Sequence, residues 1–447
     1  MTVTFDEALS RAPLRPFQWA TFAVCMLVLV GDGIDLQLLG LVAPVIMDDW
    51  GVDRGSFGWA MSAALVGMGF GAWIGGAIGD RLGRRNALAG AALVFGLATL
   101  AASQADTIAA MAGFRLLGGL GFGAAFPNAL ALTSEWLPER WRSYAITTLS
   151  VGTPAGGAVA AAFAPDLLAA HGWRGTFVVF GSATLLLIVL VFGILRDSPP
   201  FLHTRGRNAE ARRQASKIAR DEVAFAPMPL SGGGAADGSA LSVGVFHASN
   251  RRLNWGVGIG FAASTLVAYA IISWGTTFLT AAGLTLDQAL TASFAVGIAS
   301  VVGALAAGYL ARRFGSRAVM LGVSLVLVAI VLLLAALLEV FSADPSPILR
   351  VAIQALVAAV AGIVSVGIAT IYVMMTLGYP QTCRSAGIGF GMLTGRVGAI
   401  LASFGGGYLI DVGGDSLVPF FVVVTIGATL ISAAALLVDK HVEPAAR

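Results

Sequence analysis

Gly31-Asp32-Gly33-Ile34-Asp35 lies inside an apolar run from about Phe17 to Pro44. A run of that length crosses a bilayer, which takes about 20 predominantly apolar residues. Two carboxylates at its middle carry an insertion cost of roughly 2.5–3.5 kcal/mol each. Spaced i, i+3, Asp32 and Asp35 share one face of a helix, and Gly31 and Gly33 remove side-chain bulk beside them. Such a face turns toward a protein interior or a water-filled cavity, and acids placed there mark ion or substrate paths.

The rest of the 447-residue chain has the same character: 57% of it is hydrophobic and 11% charged, with a mean hydropathy of +0.85. This is the composition of an all-α, polytopic membrane protein. Cys25 and Cys383 fall in or beside apolar stretches, and the four histidines are scattered outside them. Neither a disulfide framework nor a metal site is implied, and no cofactor is expected. The net charge of +3 reflects loop arginines rather than nucleic-acid binding. Residues 1–15 contain acids and lack a short apolar region with a cleavage site, so the run from Phe17 reads as a retained first span.

Twelve transmembrane helices are expected, near 17–44, 56–78, 87–105, 107–133, 144–169, 175–195, 253–281, 286–311, 318–339, 347–376, 386–410 and 417–438. They fall into a six-helix bundle (1–200), a polar central loop (201–252) and a second six-helix bundle (253–447). In the loop, 205–222 reads as a basic amphipathic helix and 231–239 as a Gly/Ser linker. Of 27 Lys and Arg, 22 fall on one side of this topology; Arg54, Arg174 and Arg350 fall on the other, and Arg115 and Arg396 lie within spans. The bias predicts both termini and the central loop in the cytoplasm.

The halves repeat each other. Gly76-Ala-Ile-Gly-Asp-Arg-Leu-Gly83-Arg-Arg85 follows span 2, and Gly308-Tyr-Leu-Ala-Arg-Arg-Phe-Gly315-Ser-Arg317 follows span 8. Pro138-Glu-Arg-Trp-Arg142-Ser143 follows span 4, and Pro380-Gln-Thr-Cys-Arg384-Ser385 follows span 10. Internal repeats with a site at their interface are a transporter pattern. The small-residue run from Gly152 to Ala160 predicts close helix packing, with a bend at Pro154.

The first of these loops resembles the signature loop of the major facilitator superfamily, Gly-x-x-x-Asp-Arg-x-Gly-Arg-Arg. Arg115-Leu-Leu-Gly-Gly119-Leu-Gly121-Phe-Gly123 and Arg196-Asp-Ser-Pro-Pro-Phe-Leu202 are similar to two further motifs of that superfamily. Asp32-Gly-Ile-Asp35 resembles the first-span signature of its aromatic acid/proton symporters. The second loop departs from the pattern, with Arg312 where the first has Asp80 and Ser316 where it has Arg84. The resemblance implies two pseudo-symmetric bundles acting by alternating access, working as a monomer in the cell inner membrane. It implies that Gly76, Asp80, Arg81, Gly83, Arg84 and Arg85 form a gating loop, joined by Glu135, Arg142 and Arg384 in an inner-gate network.

The residues suggest their own roles. Arg396 lies near mid-bilayer in span 11, where a permanently charged planar fork matches a carboxylate. It is the candidate partner of an anionic substrate; snorkelling or a structural ion pair is the alternative. Asp32 or Asp35 paired with Arg115 across spans 1 and 4 would form a proton switch, because a buried acid holds a proton when alone and releases it beside a cation. Asn128, Tyr372 and Trp274 are candidate substrate contacts, with Trp59, Phe126 and Tyr269 as further pocket aromatics. The expected function is proton-coupled import of a small aromatic carboxylate, such as a benzoate or hydroxybenzoate. Another organic anion, a sugar, proton-driven efflux and ligand sensing stay open. No nucleotide loop, His-Glu-x-x-His or Gly-x-Ser-x-Gly points to an enzyme.

Overall fold

A computed structural model describes residues 3–218, 223–224, 245–343, 346–380, 383–414 and 416–443. Within these, the first half contains span 1 (Pro16–Trp50), span 2 (Arg54–Leu82), span 3 (Arg84–Ala102), span 4 (Ile108–Trp136) and a helical run Gly152–Ile194. That run is broken at Gly172, whose φ of 63° and ψ of −176° no helix accommodates, and it therefore holds spans 5 and 6. The second half contains span 7 (Arg251–Ala281), span 8 (Leu286–Phe314), span 9 (Ser316–Ala343), span 10 (Pro347–Gly378), span 11 (Arg384–Gly413) and span 12 (Val418–Leu437). The twelve expected spans are present. In hydrocarbon every backbone polar group needs an internal partner, which the helix supplies along its length. At the ends side chains take over: Asp53 accepts from the Ser56 N–H at 2.7 Å, and Thr107 accepts from that of Ala110 at 3.1 Å.

Two boundaries differ from expectation. Span 5 was expected to start near 144, but the chain forms a separate helix Glu139–Leu149 and restarts at Gly152. Pro154 explains the gap: its ring clashes with the carbonyl four residues back, that of Ser150, and it lacks an N–H. In the central loop, where a helix is expected over 205–222, the described residues form a helix over Asn208–Ala215, preceded by Pro199–Thr204; 219–222 lie outside the described residues. The 231–239 linker lies outside the described residues, as does the side chain of Arg384.

Within the first half, span 2 packs on span 4 and span 1 on span 5; in the second, span 8 packs on span 10 and span 7 on span 11. The halves meet through spans 1 and 7, spans 2 and 11, and spans 5 and 8. The 2–11 and 8–5 contacts are equivalents under the internal repeat. The repeated loops also turn alike. Gly83 has φ 95° and ψ 146°, and Gly315 has φ 79° and ψ 151°. Each loop is tied to the chain leaving the last span of its half: Asp197 Oδ1 accepts from the Arg85 N–H at 3.1 Å, and the Val442 carbonyl accepts from the Ser316 N–H at 3.0 Å. Burial raises the Asp197 carboxyl above the ordinary carboxylate range.

Spans 1 and 5 touch backbone to backbone. A Cβ on Gly33 would lie 2.0 Å from the Thr153 carbonyl oxygen. Gly33→Ala is therefore expected to force the two spans apart, at a cost of about 1–3 kcal/mol. The check is the thermal midpoint of the purified protein, which should fall by several degrees, whereas Gly69→Ala, with open space around it, should leave it unchanged.

Candidate functional site

The charges embedded in the spans converge on the middle of the molecule. Arg115 reaches from span 4 to Asp35 on span 1 with a two-pronged contact, Nη1 to Oδ2 at 2.9 Å and Nη2 to Oδ1 at 3.1 Å. Nη1 also donates to the Asp35 carbonyl at 3.2 Å, and Thr99 of span 3 donates its hydroxyl to Oδ1. Both side chains are buried, at 2% and 1% exposure, and the guanidinium lies 5.3 Å from the Phe177 ring centroid. A charge pair taken this far out of water persists only when its remaining hydrogen-bonding capacity is filled. Here one of the two aspartates is filled.

Asp32, one turn earlier and also buried, is not. Its Oδ2 accepts from the Thr153 hydroxyl at 3.2 Å, while Oδ1 has no partner among the described residues. Across the gap between the halves stands Arg396 of span 11, within electrostatic range of Asp32. Among the described residues Arg396 has no ion-pairing carboxylate. Its Nη1 lies 3.6 Å from the Met68 sulfur, and its guanidinium faces the hydroxyl of Tyr269 on span 7. Tyr372 of span 10 is also within range of Arg396, its ring edge-on to Phe261 at 5.2 Å.

Next to this group lies a narrow cleft of about 20 Å³ between the halves, far below the roughly 300–1,000 Å³ usual for small-ligand sites. Leu36 and Leu39, Met61 and Leu65 form apolar walls; Tyr269 and Ser273 line the second-half side, and Arg115 borders it.

Two expected substrate contacts stand elsewhere. Asn128 is fully buried, and its Nδ2 donates to the carbonyls of Gly75 at 2.9 Å and Ala124 at 2.8 Å. It ties span 4 to span 2 outside the cleft. Trp274 is equally buried, and its Nε1 donates to the Ser403 carbonyl at 3.0 Å, tying span 7 to span 11.

Several of the expected gating residues, Gly76, Asp80, Gly83, Arg84, Arg85 and Glu135, lie together on the arginine-rich face. Arg84 pairs with Asp80, lies 3.5 Å from Glu135, and points Nη1 at the Gly76 carbonyl. The Gly83 Cα is packed so closely on Asp197 that a Cβ there would lie 2.7 Å from its carboxylate. Arg85 donates to the Phe192 carbonyl at 2.7 Å, and Arg142 to that of Leu137 at 3.0 Å. Arg81 is exposed. Arg205 of the central loop donates to the Asp80 carbonyl at 3.1 Å.

The opposite face holds contacts that sequence reasoning missed. Arg54 at the start of span 2 pairs with Asp411 at the end of span 11 at 3.2 Å, and the Gly55 N–H donates to Asp411 at 2.9 Å. Below them Trp59 stacks edge-on against Phe404 at 4.8 Å, and Thr276 donates to the Gly40 carbonyl. Among the described residues, the hydrogen bonds and ion pairs that join the halves lie on this face or at mid-depth. An acid six residues beyond Gly405 in an apolar run was the available signal for Asp411.

Two similar six-span halves, closed together at one face around a charged cleft, define a two-bundle membrane carrier. The chain belongs to the Major Facilitator Superfamily, whose sequence pattern matches residues 25–340. It is 32% identical to a 4-hydroxybenzoate transporter of Acinetobacter baylyi over 407 residues, covering 89% of this chain and 86% of that one. It is 31% identical to a gallate transporter of Pseudomonas putida over 425 residues, covering 92% and 90%. Both bear out the likeness to aromatic-acid transporters read from span 1. Among solved structures, the Escherichia coli xylose transporter in a partially occluded inward-open conformation shares the fold with a TM-score of 0.70 at 16% identity, covering 94% of this chain and 97% of that one.

Asp411→Ala is expected to loosen the closed face. A half-exposed ion pair is worth at most about 1 kcal/mol, so the closed population should fall by a factor of about two to five. Spin labels on the exposed positions Asp48 and Val412 read this as added long distances, and an unchanged distribution would show that the pair does not hold the face shut.

Proposed function

We propose that this protein is a proton-coupled symporter that imports a small aromatic carboxylate, such as a benzoate or hydroxybenzoate, by alternating access. The observation that carries the reading is the pair of incompletely partnered charges, Asp32 and Arg396, facing each other across the two halves beside an apolar cleft. In this reading Arg396 receives the substrate carboxylate, with Tyr269 and Tyr372 beside it. The apolar walls take the ring once the halves part and the cleft widens. Asp32 carries the transported proton, while Asp35 and Arg115 hold the site together and bias its charge. The names of the relatives support the substrate class.

Arginine placement supports an inner-membrane orientation with the signature loop and central loop on the cytoplasmic side. The Arg54–Asp411 face then looks outward, and the Asp80–Arg84–Glu135 cluster belongs to the inner gate. The first half extends to about residue 200 and the second begins near 253, each acting as one body within a single monomer.

Uptake into proteoliposomes tests the reading. A proton gradient should drive accumulation of labelled 4-hydroxybenzoate or benzoate, and absence of both would reject it. Asp32→Asn is expected to abolish gradient-driven accumulation while leaving counterflow exchange partly intact; retention of accumulation would move the proton elsewhere. Arg396→Lys keeps the charge but loses the planar fork. It is expected to raise the apparent KM at least about tenfold, and an unchanged KM would make Arg396 structural.

A further inference from the structure

The two repeated loops turn alike but differ in charge. In the first, Arg84 pairs with Asp80 and lies 3.5 Å from Glu135, and the Arg85 N–H donates to Asp197. The second contains no acid: Arg312 stands where the first has Asp80, and Ser316 where it has Arg84. Arg312 and Arg313 lie in the last turn of span 8, Arg317 lies in the first turn of span 9, and all three are exposed. Among the described residues no carboxylate forms an ion pair with any of them. Asp439, in the chain after span 12, stands with Arg317 around His441 but forms no ion pair with that arginine.

The outer side of span 8 leads to these cations. Phe294, Ile298, Val302, Leu305 and Tyr309 are exposed at helical spacing and form one apolar stripe. Gly297 packs on Ala158 of span 5 and Gly303 on Gly362 of span 10, so the helix contacts lie on other sides and the stripe faces lipid. Span 8 has 29 residues and is therefore about 43 Å long, the thickness of a bilayer with its headgroups. The stripe ends at Arg312 and Arg313, at headgroup level. There the Arg313 guanidinium lies 5.9 Å from the Tyr309 ring centroid and 5.6 Å from that of Phe314, and it donates to the Tyr309 hydroxyl. Both rings are more than half exposed, as aromatic residues at a membrane interface are. A guanidinium stacked in this way keeps further donors in a planar fork that matches a phosphate. We propose that Arg312, Arg313 and Arg317 bind the phosphate of an anionic phospholipid in the leaflet on the arginine-rich side. The lipid supplies the second loop with the negative charge that the first takes from Asp80.

The test is native mass spectrometry of the purified full chain in detergent, titrated with phosphatidylglycerol and, separately, with phosphatidylcholine. Wild type should bind the first phosphatidylglycerol at least about tenfold more tightly than phosphatidylcholine. Replacing Arg312 and Arg313 together by Gln should weaken phosphatidylglycerol by about thirtyfold, the combined worth of two arginines near an anionic headgroup, and leave phosphatidylcholine unchanged. Replacing Arg212 and Arg213 by Gln removes the same charge from exposed positions in the central loop and should change neither affinity by more than about twofold. Arg313→Lys keeps the charge but loses the fork and the stacking; it should give a smaller loss confined to phosphatidylglycerol, and it carries the test if the double variant does not fold. Equal binding of the two lipids by wild type overturns the proposal. So does an equal loss from the two double variants, which would reduce the effect to net charge, and so does an affinity for phosphatidylglycerol that survives both the double variant and Arg313→Lys.

Discussion

The buried pair between Asp35 and Arg115 is the constraint on which the centre of this protein depends. Two full charges at 1–2% exposure are tolerable because they are paired with each other through two prongs and the carboxylate oxygens are filled, although the Arg115 Nε has no partner among the described residues. The carboxylate takes both guanidinium nitrogens and the Thr99 hydroxyl; the guanidinium adds the Asp35 carbonyl. Breaking such a pair by removing one partner typically costs 3–5 kcal/mol, because the other charge is stranded. The contact therefore pins spans 1, 3 and 4 into one unit. It also settles which charges remain: with Asp35 committed, Asp32 and Arg396 stand incompletely partnered, one on each half.

The seam between the halves has a different chemistry. Lipid supplies no hydrophobic drive for helix association, so contact there relies on close backbone approach and a few polar bonds. On the face bearing Arg54, a Cβ on Gly407 would lie 2.1 Å from the Arg54 carbonyl, and one on Gly58 would lie 2.2 Å from that of Phe404. These are tight contacts of small area, supplemented by one half-exposed ion pair. Such a seam can part without unfolding anything. Within each half the opposite holds: the turns at Gly83 and Gly315 are each tied to the chain leaving the last span of their half. The two ties use different groups. Asp197 serves the first; Val442 and His441 serve the second, with the Ser316 hydroxyl 3.0 Å from the His441 ring. Burial lowers the affinity of that ring for a second proton, which suits a nitrogen accepting from a hydroxyl. The repeat has kept the geometry and exchanged the chemistry.

What could be read from the residues divides along physical lines. Apolar length, arginine asymmetry and the paired loops are properties of position along the chain, and the twelve spans followed from them. The partner of an intramembrane acid was also legible, because a charge in hydrocarbon has few options and Arg115 was one of only two arginines deep inside the expected spans. Direction around a helix was not. Asn128 and Trp274 lie within spans as expected, yet successive helical residues turn by about 100°, and apolar neighbours on every side give no moment to orient them. Serine and threonine were missed for a related reason. In apolar helices they usually bond their own preceding turn, as Thr370 and Thr425 do here. Nothing in the sequence separates these from Thr99, Thr153 or Ser273, which reach across to another span.

The arrangement at Asp32 and Arg396 bears on the direction of coupling in the proposed cycle. The two are close enough to feel each other and do not form an ion pair. A proton on Asp32 removes a negative charge facing Arg396, so the cation is more fully available to an arriving carboxylate. Linkage is reciprocal: if the proton strengthens anion binding, the bound anion strengthens proton binding by the same factor. A proton and an anion that help each other onto one site travel together. Exchange would need them to compete, as they would if the substrate were a cation drawn to Asp32 itself. With an arginine rather than a second acid on the far side of the cleft, the electrostatics favour joint occupancy, and the doubly loaded site is then nearly neutral. Neutrality is the condition under which the cleft can close from either side at least cost in desolvation, so in the proposed cycle the charges that would receive an aromatic anion would also tie its movement to the proton.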